Sequence, residues 1–547
     1  MKNYRSMVLI SNDPQSMVQG AQEIFDCFQT EVKKFKLEDE ISISMASDIG
    51  RTDISPVVIV YPEAVVYGPI VKEDVPHLVE EHLYKGRIAV ELQAPKKALS
   101  GPIAWLTARE GSLPAEHRIV LERAGLIDPE SIDDYIIHDG YQALGKVLAE
   151  MKPEDVIATL KESGLRGRGG AGFPTGLKWG FVAGTKGDKK YVVCNADESE
   201  PGTFKDRVIL EGDPHAIIEA MIIAGFTVGA DEGYIYVRGE YELAQSRLIT
   251  AIQQAKEYGM LGSNIFGSGH SFELHVHAGA GAYICGEETA LLESIEGKRG
   301  EPRPRPPYPT TNGLWQKPTL INNVETLANV PAILRHGADW FRSFGTPSSP
   351  GTKVYTILGN VNQTGLIEVS MGITLREVIS IYAKGMKNGA TFKLAQTGGS
   401  SGSIIPASLQ DTPMDYDSFV KAGVSLGSGA LLICDEDTCV VDLAKVLLQF
   451  FRFESCGKCN PCRIGNIRAL QTLNRISEGL GSMQDIETLQ SISKNLYEMS
   501  NCGLGQTAGA PLRDILTHFR AEVEAHIKLK VCPAGVCSMS GQSNLYL

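Results

Sequence analysis

Three cysteines in seven residues, Cys456-x2-Cys459-x2-Cys462, constrain this chain more than any other feature. Thiolates that close do not fit the two separated pairs of an ordinary zinc module. They fit the C-x2-C-x2-C run of [4Fe–4S] proteins, where one remote cysteine completes the cube. Cys502, in NCGLGQ, is that remote partner, and structural zinc is the alternative. The N-terminus, MKNYRSMVLISNDPQ, has too short an apolar core for a secretory signal and no small-residue cleavage site. The clustering after residue 455 therefore reads as metal or cluster ligation in a reducing, cytoplasmic setting, and a disulfide framework is set aside. Cys27, Cys194, Cys285, Cys434 and Cys439 are scattered and read as free buried thiols.

The chain is long enough for three or four domains at about 150 residues each. Its net charge of −13 argues against a general nucleic-acid binder. No run of about 18 apolar residues occurs, so no membrane span is expected; the nearest approach, His215–Ala230, is interrupted by His215 and Glu219. Glycine, with 57 residues, is the compositional outlier, and it points to backbone that approaches ligands closely.

The fold class read along the chain is α/β multidomain. Residues 1–95 form a small α/β module of thioredoxin size, with strands at Ser6–Ile10 and Val57–Tyr61 and amphipathic helices at Gln19–Phe35 and Pro76–Tyr84. Residues 96–135 connect. A glycine-rich α/β domain spans 136–345, with strands near YVVCNA, YIYVRG and ELHVHAG. A β-rich domain spans 346–432, a helical block 433–528 and a short tail 529–547.

Four segments of the glycine-rich domain carry chemistry. Gly164–Trp179, GLRGRGGAGFPTGLKW, combines dense glycine with Arg166, Arg168 and Lys178. Freed backbone N–H groups beside basic side chains suit a phosphate-bearing cofactor. The letters of G-x-G-x-x-G occur at Gly167–Gly172, but no buried strand precedes them, and no Gly-Lys-Ser/Thr closes a Walker loop. A flexible surface loop is the plain alternative. Asn195–Arg207, NADESEPGTFKDR, crowds carboxylates at a strand end, where α/β proteins bind ligands. Gly279–Pro309 sets glycines before Glu287 and Glu288 at a helix start, a placement the helix dipole alone would also favour. Pro318–Thr326, PTLINNVET, offers two adjacent amides.

These segments, with ESCGKCNPCRIG and CGLG in the same order, resemble the NADH-binding flavoprotein subunit of respiratory complex I. They equally resemble the diaphorase subunits of NAD-linked hydrogenases and formate dehydrogenases. The resemblance runs from about residue 136 to 528. It implies FMN, an NAD(H) site stacked on the flavin and one [4Fe–4S] cluster on Cys456, Cys459, Cys462 and Cys502. It also implies a Rossmann-like flavin domain, a ubiquitin-like (SLBB-type) β-grasp domain and a C-terminal four-helix iron–sulfur bundle. Gly167, Arg168, Gly169, Gly170 and Gly172 fall at the FMN phosphate cradle. Lys178, Asn195, Asp197, Glu198, Tyr283, Gly286, Glu287, Asn322, Asn323 and Thr326 fall at other flavin positions. Phe173, Phe181 and Tyr308 match aromatic positions of the NADH cleft, and Glu200 and Glu288 match carboxylates near the adenosine ribose. Such carboxylates bond ribose hydroxyls and repel an added phosphate, favouring NAD over NADP.

The N-terminal module resembles a thioredoxin-like [2Fe–2S] domain whose four ligand positions read here Ser11, Ser16, Asp48 and Thr52, so the cluster is expected to be lost. The tail, Cys532-Pro-Ala-Gly-Val-Cys537 with His526 before it, resembles an element of electron-bifurcating subunits. It offers three of zinc's four ligands, or else two free thiols. The implied activity is hydride exchange between NADH and FMN, then single-electron transfer to the cluster. The implied partners are a thioredoxin-like [2Fe–2S] subunit and a larger electron-accepting or catalytic subunit, with ferredoxin added if the complex bifurcates. The rival of a different class is a non-catalytic iron–sulfur scaffold.

Overall fold

Three sheets of four or more strands and a helical block follow one another along the computed structural model, which describes residues 4–46, 54–94 and 117–539. The first sheet orders its strands β2-β1-β3-β4, with β1 Ser6–Ser11, β2 Ile41–Ala46, β3 Val58–Tyr61 and β4 Val65–Tyr67. β1 and β2 are parallel and are joined through helix α1, Ala21–Lys34. Ala21, Ile24, Phe28 and Val32 of α1 recur at helical spacing and are buried in one core with residues of β1 and β3. Burying a side chain such as Phe28 contributes about 1.5–3 kcal/mol.

The second sheet is wholly parallel, in the order β7-β6-β5-β8: β5 Tyr191–Ala196, β6 Glu232–Val237, β7 Glu273–Ala278 and β8 Thr319–Asn323. β5 lies between two neighbours and is nearly all buried, as expected of a parallel strand with helices on both faces. Helix α2, Thr175–Gly184, leads into β5. Helices α3, Lys205–Gly212, and α4, Pro214–Val228, leave it. α4 begins with Asp213 accepting from Ala216 N–H at 3.2 Å and ends at Gly229, whose φ of +75° suits only glycine comfortably. Nearly every residue of α4 is buried, which explains its apolar run: it is a core helix. No helix among the described residues is long and apolar enough to cross a membrane. Helix α6, Val324–His336, shares the core of α4, while α5, Glu288–Ile295, packs on the opposite face of the sheet with Val193 and Ile321.

The third sheet, in the order β10-β9-β13-β11-β12, comprises β9 Thr352–Gly359, β10 Gly365–Ser370, β11 Phe392–Thr397, β12 Ile404–Pro406 and β13 Ala430–Asp435. The connector grips this sheet through one carboxylate. Glu368 on β10, fully buried, accepts N–H bonds from Ile119, Val120 and Leu121.

The C-terminal block holds six helices among the described residues, where four were expected. Three are long: α7 Val440–Glu454, α8 Asn460–Ser477 and α9 Met483–Met499. The last stretch is broken into α10 Gly503–Ala508, α11 Ala510–His518 and α12 Arg520–Lys528. Gly509 and Phe519 interrupt the helical path there.

Candidate functional site

Strand order places the site before any side chain is considered. The parallel sheet winds outward from β5 to β6 and β7 on one side and to β8 on the other, so the crevice between β5 and β8 is its topological switch point. The carboxyl ends of these two strands put Asn195 in register with Asn323. A cavity of about 590 Å³ opens there, within the range of cofactor sites.

The glycine-rich loop forms one wall, between the helix Pro153–Ser163 and α2. Gly167 N–H donates to Phe173 O at 2.8 Å, and Arg166 Nε to Gly172 O at 2.7 Å, closing the loop on itself. Arg168 N–H donates to Thr326 Oγ1 at 2.8 Å, which ties the loop to α6. A Cβ on Gly169 would lie 3.0 Å from Asn323 Cβ, so only glycine allows this approach without displacement. Asn322 is oriented by Trp179 Nε1 at 2.9 Å, and Asn195 Nδ2 holds Gly286 O at 2.8 Å. Asn323 Oδ1 and Asp197 Oδ2 are buried with no hydrogen-bond partner, the state of groups prepared for a polar ligand. Burial pushes the Asp197 carboxyl up to about 8, so it carries a proton near neutrality. Phe173, Phe181 and Tyr308 line the cavity while about half exposed, and they offer ring faces at its mouth. Glycine backbone, basic Lys178, amides and aromatic walls together fit a phosphate-bearing heterocyclic cofactor.

The four clustered cysteines lie beside this cavity. Cys462 and Cys502 belong to the buried cluster that includes Ile284 and Cys285, and Cys456 and Cys459 pack against it. Burial pushes the Cys462 thiol up to about 11, with the other three cysteines nearby adding to the shift. Four converging thiols are the donor set of a [4Fe–4S] centre. Gly503, the residue after Cys502, lines the cavity itself. The two regions are further joined by Tyr283 N–H donating to Glu454 Oε2 at 2.9 Å and by Arg299 Nη2 donating to Cys456 O at 2.9 Å.

Residues 160–332 match the Nuo51 FMN-binding domain, and residues 442–526 match the NADH-ubiquinone oxidoreductase-F iron-sulfur binding region. The second F-type subunit of the NADH-quinone oxidoreductase of Rhizobium meliloti is 48% identical over 415 residues, covering 76% of this chain and 99% of the relative. The chain belongs to the family of NADH-quinone oxidoreductase F-type subunits. The NADP-reducing hydrogenase subunit HndC of Solidesulfovibrio fructosivorans is 52% identical over 421 residues, covering 77% of this chain and 86% of that protein. A solved NAD+-reducing [NiFe]-hydrogenase in its H2-reduced state superposes with a TM-score of 0.67 at 30% identity, covering 96% of this chain and 84% of that one. This F-type homologue is thus an NADH-dehydrogenase-type oxidoreductase subunit, with the family's FMN-binding domain and [4Fe–4S] region.

The structure redistributes several residues expected at the flavin. The cavity gathers Gly167, Gly169, Gly172, Phe173, Lys178, Phe181, Asn195, Gly286, Glu287, Glu288, Tyr308, Asn322, Asn323 and Thr326. Arg168 lies outside its wall. The fully buried guanidinium is spent on the carbonyls of Thr352, Arg166 and Pro350 at 3.0, 3.2 and 2.7 Å. The Arg168 side chain therefore fastens the cradle to β9, leaving main-chain groups to face a phosphate. Gly170 turns toward the backbone of Gly427 and Ser428. Glu198 caps α3, accepting from Asp206 and Arg207 N–H at 2.9 and 3.0 Å. Asp197 and Tyr283 sit behind the wall, and Glu200 packs against Gly399. Arg305, which no motif singled out, also lines the cavity; it pairs with Glu288 at 3.0 Å and Glu287 at 3.5 Å.

Cys439 corrects another reading. It is no isolated thiol: Cys439, His526, Cys532 and Cys537 bring their ligand atoms within 4.8 Å of one another. Cys439 Sγ lies 3.4 Å from His526 Nε2 and 3.6 Å from Cys537 Sγ. His526 Nδ1 sits 2.8 Å from Glu522 O, an arrangement that commits its proton there and turns the Nε2 lone pair inward. Cys439 lies 87 residues before His526, so no local spacing announces it.

Proposed function

We propose that the switch-point cavity seats FMN with NAD(H) over it, and that Cys456, Cys459, Cys462 and Cys502 hold the [4Fe–4S] cluster that drains it. Gly503 carries this reading, because one residue beyond a cluster ligand lines the flavin cavity. FMN, when bound, accepts a hydride as two electrons and returns them one at a time. The chain's part is to bind, orient and exclude water. The main-chain N–H of Gly169, with Lys178, holds the phosphate. Asn322, fixed by Trp179, and Asn323 hold polar edges of the ring. Phe173, Phe181 and Tyr308 stack the coenzyme, and Glu288 meets its ribose. No side chain is needed as acid or base.

The same reading takes the first sheet as a thioredoxin-like module and the third, with its 2-1-5-3-4 strand order, as β-grasp. It places the chain in a reducing, cytoplasmic compartment, which all eleven cysteines being free supports. It assigns zinc to Cys439, His526, Cys532 and Cys537, a complete tetrahedral donor set. Its partners are iron–sulfur subunits that accept single electrons.

Cys456→Ser is the test. NADH should still bleach the flavin under anaerobic conditions, while one-electron transfer onward falls about 100-fold or more, equivalent to about 2.7 kcal/mol of lost transfer competence. Flavin reduction lost along with electron exit, in a folded variant with FMN bound, would refute the division of labour.

A further inference from the structure

An iron–sulfur cluster's hold on an electron depends on the hydrogen bonds reaching its sulfurs. Two side chains converge on one of those sulfurs here. Asn466 stands one helical turn beyond Cys462 on α8, a spacing that puts both on one face. Its Nδ2 lies 3.5 Å from Cys462 Sγ, and the residue is fully buried. Ser455, just past the end of α7, brings its Oγ to 3.2 Å from the same Sγ. Because Ser455 Oγ already accepts Gly457 N–H at 3.3 Å, its own proton is available to point at the sulfur.

A ligating cysteine is a thiolate and can only accept, so both partners must donate. That settles the Asn466 amide: N–H toward sulfur, oxygen away. The oxygen meets nothing, being buried with no hydrogen-bond partner. Leaving such an acceptor unsatisfied is costly, and a group held at that cost needs a reason. The Nδ2 contact supplies one. Cys502 differs: Leu504 and Gly505 at the start of α10 reach it through the main chain.

On the reading that Cys456, Cys459, Cys462 and Cys502 hold the cluster, we propose that Asn466 and Ser455 set its reduction potential by donating to Cys462 Sγ. An added electron makes the cluster's sulfurs more negative, and buried donors stabilise that state more than the oxidised one. Removing either donor makes the cluster a poorer acceptor without touching the flavin cavity.

The experiment compares wild type, Asn466→Ala, Ser455→Ala and Ser455→Thr as intact chains purified without oxygen. Iron content is measured first, then the cluster midpoint by EPR-monitored redox titration, and NADH bleaching of the flavin as a control. Each alanine variant should lower the equilibrium constant for cluster reduction about three- to tenfold, tenfold being about 59 mV for one electron. Ser455→Thr keeps the hydroxyl and should stay within about twofold of wild type. Unmoved midpoints in fully loaded alanine variants, or a threonine shift as large as the alanine one, overturn the proposal. If Asn466→Ala does not load iron, the Ser455 pair decides alone. Wild type without iron would instead defeat the reading of the four ligands.

Discussion

Glu288 shows how a single carboxylate is set in this site. It opens α5 and lines the cavity, with Arg305 Nη1 at 3.0 Å and Lys178 Nζ at 3.7 Å from its oxygens. The three groups offset one another, so the wall facing the coenzyme is less acidic than the letters EE at 287–288 imply. Replacing Glu288 by glutamine frees two cations beside the expected ribose position. A phosphate there would gain attraction and lose repulsion. We predict that Glu288→Gln lowers the NADH/NADPH ratio of kcat/KM by about tenfold, equivalent to about 1.4 kcal/mol. Glu200→Gln should change it by less than about threefold, since Glu200 packs against Gly399 and does not line the cavity. Steady-state kinetics with both coenzymes decides it, and equal effects of the two variants would put Glu200 back at the ribose.

At the scale of elements, loops from two sheets meet through glycine. A Cβ on Gly427, whose φ is +66°, would lie 2.3 Å from Gly398 Cα; a Cβ on Gly399 would lie 2.4 Å from Glu200 Cβ. Gly170 of the cradle also faces Gly427. Backbones this close transmit any displacement directly. Gly427→Ala should therefore destabilise the chain by more than about 1 kcal/mol and also speed flavin loss. A thermal melt and a flavin-release assay read the two effects, and a Tm equal to wild type would sink the claim. The glycine-rich loop's place at the cavity wall was legible in sequence, because backbone that approaches its surroundings closely needs glycine density. The cluster of four cysteines proposed as iron–sulfur ligands was equally plain, since three of them share one local spacing. Other features were not. The fate of Arg168 depends on carbonyls of residues 350 and 352, far along the chain, and Cys439 finds its partners only when α7 and α12 pack together. Strand positions read from apolar runs, such as YVVCNA at Tyr191–Ala196, lie where local pattern and burial agree. The helix read at Pro76–Tyr84 changes its hydrogen-bond step after Leu78, which no apolar period encodes.

Across the whole molecule, the first sheet is anchored to the second through one buried cation. Arg247, on the helix Glu242–Glu257, donates to Asn12 Oδ1, to Glu211 O at 2.6 Å, and pairs with Glu130 at 3.4 Å. Asn12 begins the turn in which Ser11 and Ser16 occupy two positions read as lost cluster ligands; Asp48 and Thr52, the other two, lie outside the described residues. Ser16 Oγ lies 2.7 Å from Ser11 Oγ, 2.5 Å from Ser55 Oγ and 2.5 Å from Asp13 Oδ2. Hydroxyls engaged with one another and with a carboxylate are poor iron ligands beside thiolates. We predict about four irons per chain, with the EPR signal of one [4Fe–4S] centre and none from a [2Fe–2S] centre. Deleting residues 1–95 should leave that iron count unchanged. It should also strip the Asn12 contact from Arg247, so the truncated chain should melt lower than the full one. A rhombic [2Fe–2S] resonance that disappears with the deletion would show instead that the serine network does not replace a cluster, and that other ligands complete one.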